Sequence, residues 1–500
     1  MTPRIAEAVR RWGGDAGGAL LQDFFPGILV GGDPLGAFFA KSFSPQERRA
    51  TGATFTPSWL VELQLDRIAA KCIPARVVDA GAGTGRYAMS AARRWPQATI
   101  IAVEKNPTLA EALRINARAA GLSVQVVCAD YLSFDLPPIV GTTAFVGNPP
   151  YVRHHGLSAK EKAWYSQQMT QLRLPHSQLA GLHVYFHLKS YLLSRPGDVG
   201  CFVTAAEWME TNYGESMRQL FCLMGGDGLI RANPAEQIFA DALTTSAIVE
   251  WSTGFEGNVH ISDLDGRDTR EQFQASKSQL SALSKWPGYG RRLSAPSASG
   301  PILGDYFQIS RGQVTGCNEI WVATEETARL IPDRYLFPCV THASEVIDAQ
   351  GILRNPTRLR RVIDLPADLN ELSVQERRKV DSFLEVAEKA GAANSYIARH
   401  RKPWRRVGLK TPPPIVMSYM ARRPPKFARN ACGARLLNIA HGLTPLRPLD
   451  LPFQNRLVAW LNENVCPTGG RTYAGGMVKF EPGDAMRIPL PAELGPSIAA

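Results

Sequence analysis

The sequence predicts an α/β chain, with an open, largely parallel sheet in its first part and a mixed α+β domain after it. Three observations predict this. Between about residues 51 and 255, short β-branched runs alternate with amphipathic stretches. Glycines cluster directly after one such run, at Gly81, Gly83 and Gly85. The composition then breaks at a Ser/Ala/Pro/Gly segment, Ser294 to Pro301, beyond which short runs are interrupted by many prolines.

Length and charge bound the reading. The 500 residues exceed one ordinary domain of ~150, and an apolar fraction of 45% excludes a mostly disordered chain. We expect a helical lead-in over 1–50, an α/β domain over 51–255, a linker or irregular segment over 256–301 and a second domain over 302–500. No window approaches the ~18 apolar residues of a membrane helix. The apolar stretch from Gly18 to Ala40 is broken by Asp23, Pro26 and Asp33 and lacks a small-residue cleavage pattern. Eight scattered cysteines without a CxxC pair argue against a disulfide framework and a thiolate zinc site, and fit a reducing cytoplasm.

The elements of the first domain carry their chemistry at strand ends. A strand over Ala75–Val78 runs into Asp79-Ala80-Gly81-Ala82-Gly83-Thr84-Gly85, and a helix follows from Arg86 to about Trp95. Glycines there let the backbone turn sharply and approach a ligand closely. A second strand, Ala98–Val103, ends at Glu104, placed to accept hydrogen bonds from ribose hydroxyls. A third, Val124–Cys128, ends at Asp130-Tyr131, and a fourth, Thr142–Val146, ends at Asn148-Pro149-Pro150-Tyr151. Open α/β sheets bind ligands at these carboxyl ends. The loop reads GxGxG, not the GxGxxG of pyrophosphate binding, and Asp79 would repel a diphosphate. S-adenosyl-L-methionine, which carries an ammonium group and no phosphate, suits it better.

With these motifs the chain resembles adenine-specific DNA methyltransferases of the gamma motif order, similar to TaqI-like enzymes and the modification halves of type II restriction systems. The resemblance implies a Rossmann-like S-adenosylmethionine-dependent methyltransferase domain followed by a target-recognition domain. It assigns catalysis to Asn148, Pro149, Pro150 and Tyr151. The Asn148 side-chain oxygen and the Pro149 carbonyl would accept from the adenine N6 amine, which localises a lone pair otherwise delocalised into the ring. Two prolines pre-position these acceptors. Tyr151 would stack on the extruded base, and Phe239, in Ile238-Phe239-Ala240-Asp241-Ala242, would form the second wall.

Further segments match in order. Arg48 to Pro57 resembles RRxxGxx[YF]TP, whose Thr56-Pro57 lies near the donor's methionine end. Leu182 to Phe186 resembles a DLYxxF helix, although Gly181 and His183 replace the usual Asp and Tyr. Arg311 to Asn318 resembles the RGxxTGxN opening of the target-recognition domain, and Gly475 to Pro489 its closing segment. The likeness spans about residues 35–490.

Charge is uneven. From Ala390 to Leu449 there are twelve Lys or Arg and no Asp or Glu, with Tyr396, Trp404, Tyr419 and Phe427 interleaved. Arg399, Arg401, Lys402, Arg405, Arg406, Lys410, Arg422, Arg423, Lys426 and Arg429, together with Arg311, are read as a surface for double-stranded DNA, against the alternative of a solvated face. His183 and His187 stand at i and i+4 but lack a third ligand, so packing is expected and no metal. Pro338-Cys339 lies in the wrong domain for a nucleophilic thiol. Two rivals stay open: the same fold acting on RNA or a protein glutamine, and a non-catalytic DNA-binding subunit. A separately encoded restriction endonuclease or defence subunits are possible partners. With only about 50 residues ahead of Thr56-Pro57, no fused nuclease is expected.

Overall fold

A computed structural model describes residues 26–27, 32–37, 55–239, 244–293, 300–466, 469–473, 475–491 and 494. The chain divides into two compact units, Met1–Leu293 and Ser294–Ala500. The expected helical lead-in lies mostly outside the described residues. So do most of the Arg48–Pro57 segment, Ala240-Asp241-Ala242, and Ser294 to Ser299.

Among its described residues the first unit is built on nine strands: β1 (Arg76–Ala80), β2 (Thr99–Glu104), β3 (Gln125–Cys128), β4 (Thr143–Gly147), β5 (Val199–Ala205), β6 (Gly226–Ala232), β7 (Ser246–Ser252), β8 (Val259–Asp265) and β9 (Asp268–Ala275). They form one sheet in the order β3-β2-β1-β4-β5-β7-β6-β8-β9. The first five pair in parallel, and β7 runs antiparallel to both β5 and β6. This is the Rossmann-like arrangement the motifs imply. Every residue of β1 and β4 is buried, as expected for parallel strands covered on both faces.

Alternate residues of β1, β2, β4 and β5 face two separate cores. Val77, Ile100, Ala102, Val146 and Val203 pack on one side against α1 (Ser58–Ala69), α2 (Arg86–Arg94) and α3 (Pro107–Ala119). Val78, Ile101, Val103, Phe145 and Phe202 pack on the other against α4 (Ala159–Gln171), α5 (Leu182–Leu193) and α6 (Glu215–Leu223). Caps fix where the helices begin. The Asn106 side chain accepts from Thr108 N and Leu109 N at the start of α3, and Ser158 and Glu161 form a reciprocal box at the start of α4.

The expected linker over 256–301 needs correction. Its first part forms β8 and β9, which extend the sheet. A short helix, α7 (Lys277–Ser281), follows. Trp286 is buried against Trp208 and Phe221, and Arg231 Nη1 donates to the carbonyls of Pro287, Gly288 and Arg291. The polar sequence misleads because β9 is an edge strand, exposed along most of its length.

Among its described residues the second unit contains a five-stranded sheet and two three-stranded ones. The first is β10-β18-β14-β16-β12, from β10 (Phe307–Arg311), β12 (Ile352–Leu353), β14 (Ile415–Ser418), β16 (Phe427–Asn430) and β18 (Ala440–Pro445). The others are β13-β11-β17, from β11 (Leu336–Val340), β13 (Arg360–Ile363) and β17 (Arg435–Leu436), and β15-β20-β19, from β15 (Met420–Ala421), β19 (Arg471–Tyr473) and β20 (Met477–Lys479). Three helices matter below: α8 (Val374–Lys389), α9 (Tyr396–Arg399) and α10 (Leu451–Asn464). No helix among the described residues is long and apolar enough to cross a membrane.

Candidate active site and basic surface

The strand order reverses about β1, with β2 and β3 on one side and β4 and β5 on the other, which opens a crevice at the carboxyl ends. A cavity of about 480 Å³ occupies it, lined by Gly81, Gly83, Glu104, Asp130, Tyr131 and Asn148 among others. That volume suits a nucleoside-sized ligand. Gly81 adopts φ +74°, and a Cβ there would lie 3.3 Å from Phe186 Cε1. Gly85 adopts φ +94°, where a Cβ would come within 2.6 Å of Leu113 Cγ. The loop therefore needs glycine for both conformation and space.

The carboxylates at the strand ends are tightly held. Glu104 Oε2 accepts from Gly83 N at 2.8 Å and Oε1 from Asn106 N at 2.7 Å, locking the glycine loop to the end of β2. Burial raises its pKa against the pull of these hydrogen bonds. Asp130 accepts from Leu132 N at 3.0 Å and from Lys105 Nζ at 2.7 Å. Tyr131 is buried, its hydroxyl 2.8 Å from Ser190 Oγ and its ring stacked on Phe186. Asp79 is fully buried and does not line the cavity. Its Oδ2 accepts from Ala88 N in the first turn of α2, while Oδ1 has no partner among the described residues. Burial pushes its pKa up to about 7.

The Asn148 loop follows β4 at once. Asn148 Nδ2 donates to Thr56 Oγ1 at 3.1 Å, so the Thr-Pro segment and the Asn-Pro-Pro-Tyr loop meet, although 92 residues separate them. Pro150 lines the cavity, whereas Pro57, Ala80, Gly85, Pro149 and Tyr151 stand outside its lining. Tyr151 and Phe239 come together edge to face, with ring centroids 6.0 Å apart. His183 and His187 are buried on α5. Burial lowers their pKa values to about 3 and about 4, and His187 packs against Phe202 and Trp251. No group of three or more potential metal ligands is found among the described residues.

Sequence reading missed several positioning residues. Asp33, read only as an interruption, accepts from Thr84 Oγ1 at 2.6 Å, Arg86 Nε at 2.8 Å and Asn116 Nδ2 at 3.3 Å. Arg86 also donates to Thr56 O at 2.6 Å. Gln64 donates to Cys201 O and Gly147 O and accepts from the Tyr87 hydroxyl. These bonds join residues far apart in sequence, and no local pattern announces them.

In the second unit, none of the twelve basic residues between Ala390 and Leu449 makes an ion pair among the described residues. Several spend their donors on carbonyl oxygens instead. Arg401 binds Thr315 O and Val314 O, Arg405 Ala367 O, Lys410 Arg311 O, Arg422 Gly475 O and Lys426 Asn462 O. Arg399 binds Asn394 O, and Arg429 binds Asn455 Oδ1. Carbonyls satisfy hydrogen bonds without cancelling charge, so the stretch stays positive. Lys402, Arg406 and Arg423 are exposed. Arg311 is different, since it pairs with Glu481.

Comparison with known proteins identifies the family. Residues 293–499 match the family described as "Type II methyltransferase M.Eco57I, C-terminal domain", residues 142–227 the "Eco57I restriction-modification methylase" and residues 77–147 the "Methyltransferase domain". The chain is 44% identical over 463 residues to the type II methyltransferase M.XamI of Xanthomonas campestris pv. amaranthicola, covering 90% of this chain and 87% of that one. It is 22% identical to the type II methyltransferase M.AccI of Acinetobacter calcoaceticus, covering 89% and 86%. The fold is similar to that of the type IIL restriction-modification enzyme MmeI, solved in complex with DNA, with a TM-score of 0.59 at 12% identity, covering 89% of this chain and 69% of MmeI. S-adenosyl-L-methionine is accordingly the cofactor. The glycine loop, Glu104 and Asp130 line the cleft that it would occupy, whereas Asp79, expected from the sequence to repel a diphosphate there, is buried outside the cavity lining and does not supply that repulsion. Strand order, cleft and the near full-length match to M.XamI together place the chain in the family of type II restriction-modification DNA methyltransferases.

Proposed function

We infer that the enzyme methylates the exocyclic N6 of an adenine turned out of duplex DNA. The observation that carries this is the Asn148 loop, which follows the central strand β4 and borders the same cavity as Glu104 and Asp130. S-adenosyl-L-methionine supplies an electrophilic methyl group when bound. The protein's part is orientation and charge. Asn148 Nδ2 is committed to Thr56 Oγ1, which turns the amide so that its oxygen can serve as acceptor for an amine N–H. The Pro149 carbonyl would take the second N–H. Acceptors fixed in this way draw the nitrogen toward tetrahedral geometry and stabilise positive charge as it develops there. No covalent intermediate is needed, so no nucleophilic thiol or hydroxyl is required.

Tyr151 and Phe239 would receive the base. Two rings that sandwich a flat base lie parallel, with roughly 7–8 Å between their planes at ordinary contact distance. Here they meet at an interplanar angle of 71°. Base entry on this reading turns one ring and exchanges their mutual contact for two stacked faces. The test is the nucleoside content of DNA methylated by the purified enzyme. N6-methyldeoxyadenosine is expected. N4-methyldeoxycytidine or 5-methyldeoxycytidine as sole product would overturn the acceptor, and methylation of RNA or protein alone would overturn the substrate.

A further inference from the structure

We propose that Ser395–Arg406, braced by the Val314-Thr315 loop, is the part of the second unit that reads bases, with Tyr396 as the reading side chain. This rests on the proposed action on DNA and adds the element that gives it sequence preference. Tyr396 is 74% exposed and is the one exposed Phe, Trp or Tyr among the described residues. Its ring lies 4.3 Å from that of His400, which is also exposed. Large aromatic surface held in water has no role in folding, and it gains most by meeting another flat apolar surface.

The surroundings identify that surface by charge. Arg399, Lys402 and Arg406 are exposed, follow Tyr396 within ten residues and have no acidic partner among the described residues. Unneutralised cations in the same exposed stretch as a neutral aromatic side chain fit duplex DNA, where phosphates flank the base edges of a groove. An apolar protein partner would leave those cations without counter-charge.

The mounting is rigid, as base discrimination requires. The Arg401 guanidinium donates to Thr315 O at 2.9 Å and also to Val314 O. Ser395 Oγ caps Ala398 N, and Arg399 holds Asn394 O at 2.7 Å. Gly316 adopts φ +87°, and a Cβ there would lie 2.6 Å from Ser395 Oγ, so the two loops are in close contact. Trp404 packs on the buried Trp321 and anchors the far end. Val314, 40% exposed, stands beside this turn as a second neutral contact.

The experiment uses the full chain with S-adenosyl-L-methionine. Sequencing DNA methylated in cells first gives the recognised site. Duplexes bearing that site, single-base substitutions of it and a scrambled sequence then serve as probes. Tyr396→Ala is expected to weaken binding to the site about tenfold, the usual cost of removing one base-reading side chain, while leaving the scrambled duplex nearly unchanged. It should also relax discrimination at one or two adjacent positions. Tyr396→Phe should retain most of the discrimination if the ring is what reads. A combined Lys402→Ala/Arg406→Ala variant should weaken both duplexes in parallel. Unchanged discrimination by Tyr396→Ala, or a parallel loss on both duplexes, would overturn the proposal. Failure of the unmodified protein to bind any duplex would instead sink the proposed function itself.

Discussion

In the first unit, carboxylates at the strand ends are met by N–H groups, Glu104 by Gly83 and Asn106 and Asp79 by Ala88. In the second, cations between Ala390 and Leu449 are met by carbonyl oxygens, among them those of Thr315, Ala367 and Asn462. Both arrangements satisfy hydrogen bonds, but with different consequences. In the cleft, each acid has a fixed orientation, so function rests on a few atoms. On the basic stretch, charge is left over and spread across many side chains. Single substitutions should therefore be severe in the first unit and graded in the second.

The largest effect is expected at Asn148. Asn148→Ala removes a pre-positioned acceptor, and loss of one such group costs about 10²–10³ in kcat. Donor affinity should stay close to normal, as calorimetry can check, because the amide acts on the target amine. Turnover near that of the unmodified enzyme would mean that the strand-end site is less concentrated than argued. Next comes Glu104→Ala. Two ribose hydrogen bonds to a charged acceptor would be lost and Gly83 N released, so S-adenosyl-L-methionine affinity should fall by about tenfold or more. Unchanged affinity would remove Glu104 from the donor site.

How much of this was legible in the sequence follows the same division. The strand-end motifs are local: Gly81-Ala82-Gly83, Glu104 and Asn148-Pro149-Pro150 each declare a turn and a function within a few residues, and they converge as the sheet order demands. Asp79 was legible as a loop acid but not as a buried one, since the helix that covers it begins seven residues later. Asp33 and Gln64 were invisible because their partners are remote and depend on packing. Strands β8 and β9 were hidden by their polarity. In the second unit, the missing acids were plain, yet which cations are spent on carbonyls and which stay exposed is a tertiary property that composition does not carry.

That property sharpens the third prediction. Lys402, Arg406 and Arg423 are exposed and make no side-chain hydrogen bond among the described residues, whereas Arg405 and Arg422 hold Ala367 O and Gly475 O. Replacing the first three by Ala should flatten the log–log dependence of DNA affinity on salt by about 0.9 for each phosphate that is no longer neutralised. The methylated sequence should not change, because phosphate contacts position the protein without reading bases. Replacing Arg405 or Arg422 should in addition lower Tm, since each leaves a carbonyl to find another donor. An unaltered salt dependence in the triple variant would make the stretch a solvated face.

The smallest effect is expected at Asp79, and its sign can be worked out. Burial pushes its pKa to about 7 in the folded chain, against about 3.9 for an unperturbed Asp. Between these values the folded state holds a proton that the unfolded state has released, so stability falls as pH rises from about 4 to about 7. Below that window both states are protonated, and above it both are ionised, the folded one carrying a buried charge eased chiefly by Ala88 N–H. Asp79→Asn removes the titration but keeps an acceptor for Ala88 N. The Tm of the unmodified protein minus that of the variant should therefore decrease between about pH 5 and about pH 8, and the subtraction cancels groups that titrate alike in both. A difference that stayed flat would mean that Asp79 is ionised in the fold at both pH values. Its buried Oδ1 would then need a cationic neighbour, and the contrast between acids answered by N–H groups and cations answered by carbonyls would fail at the end of β1.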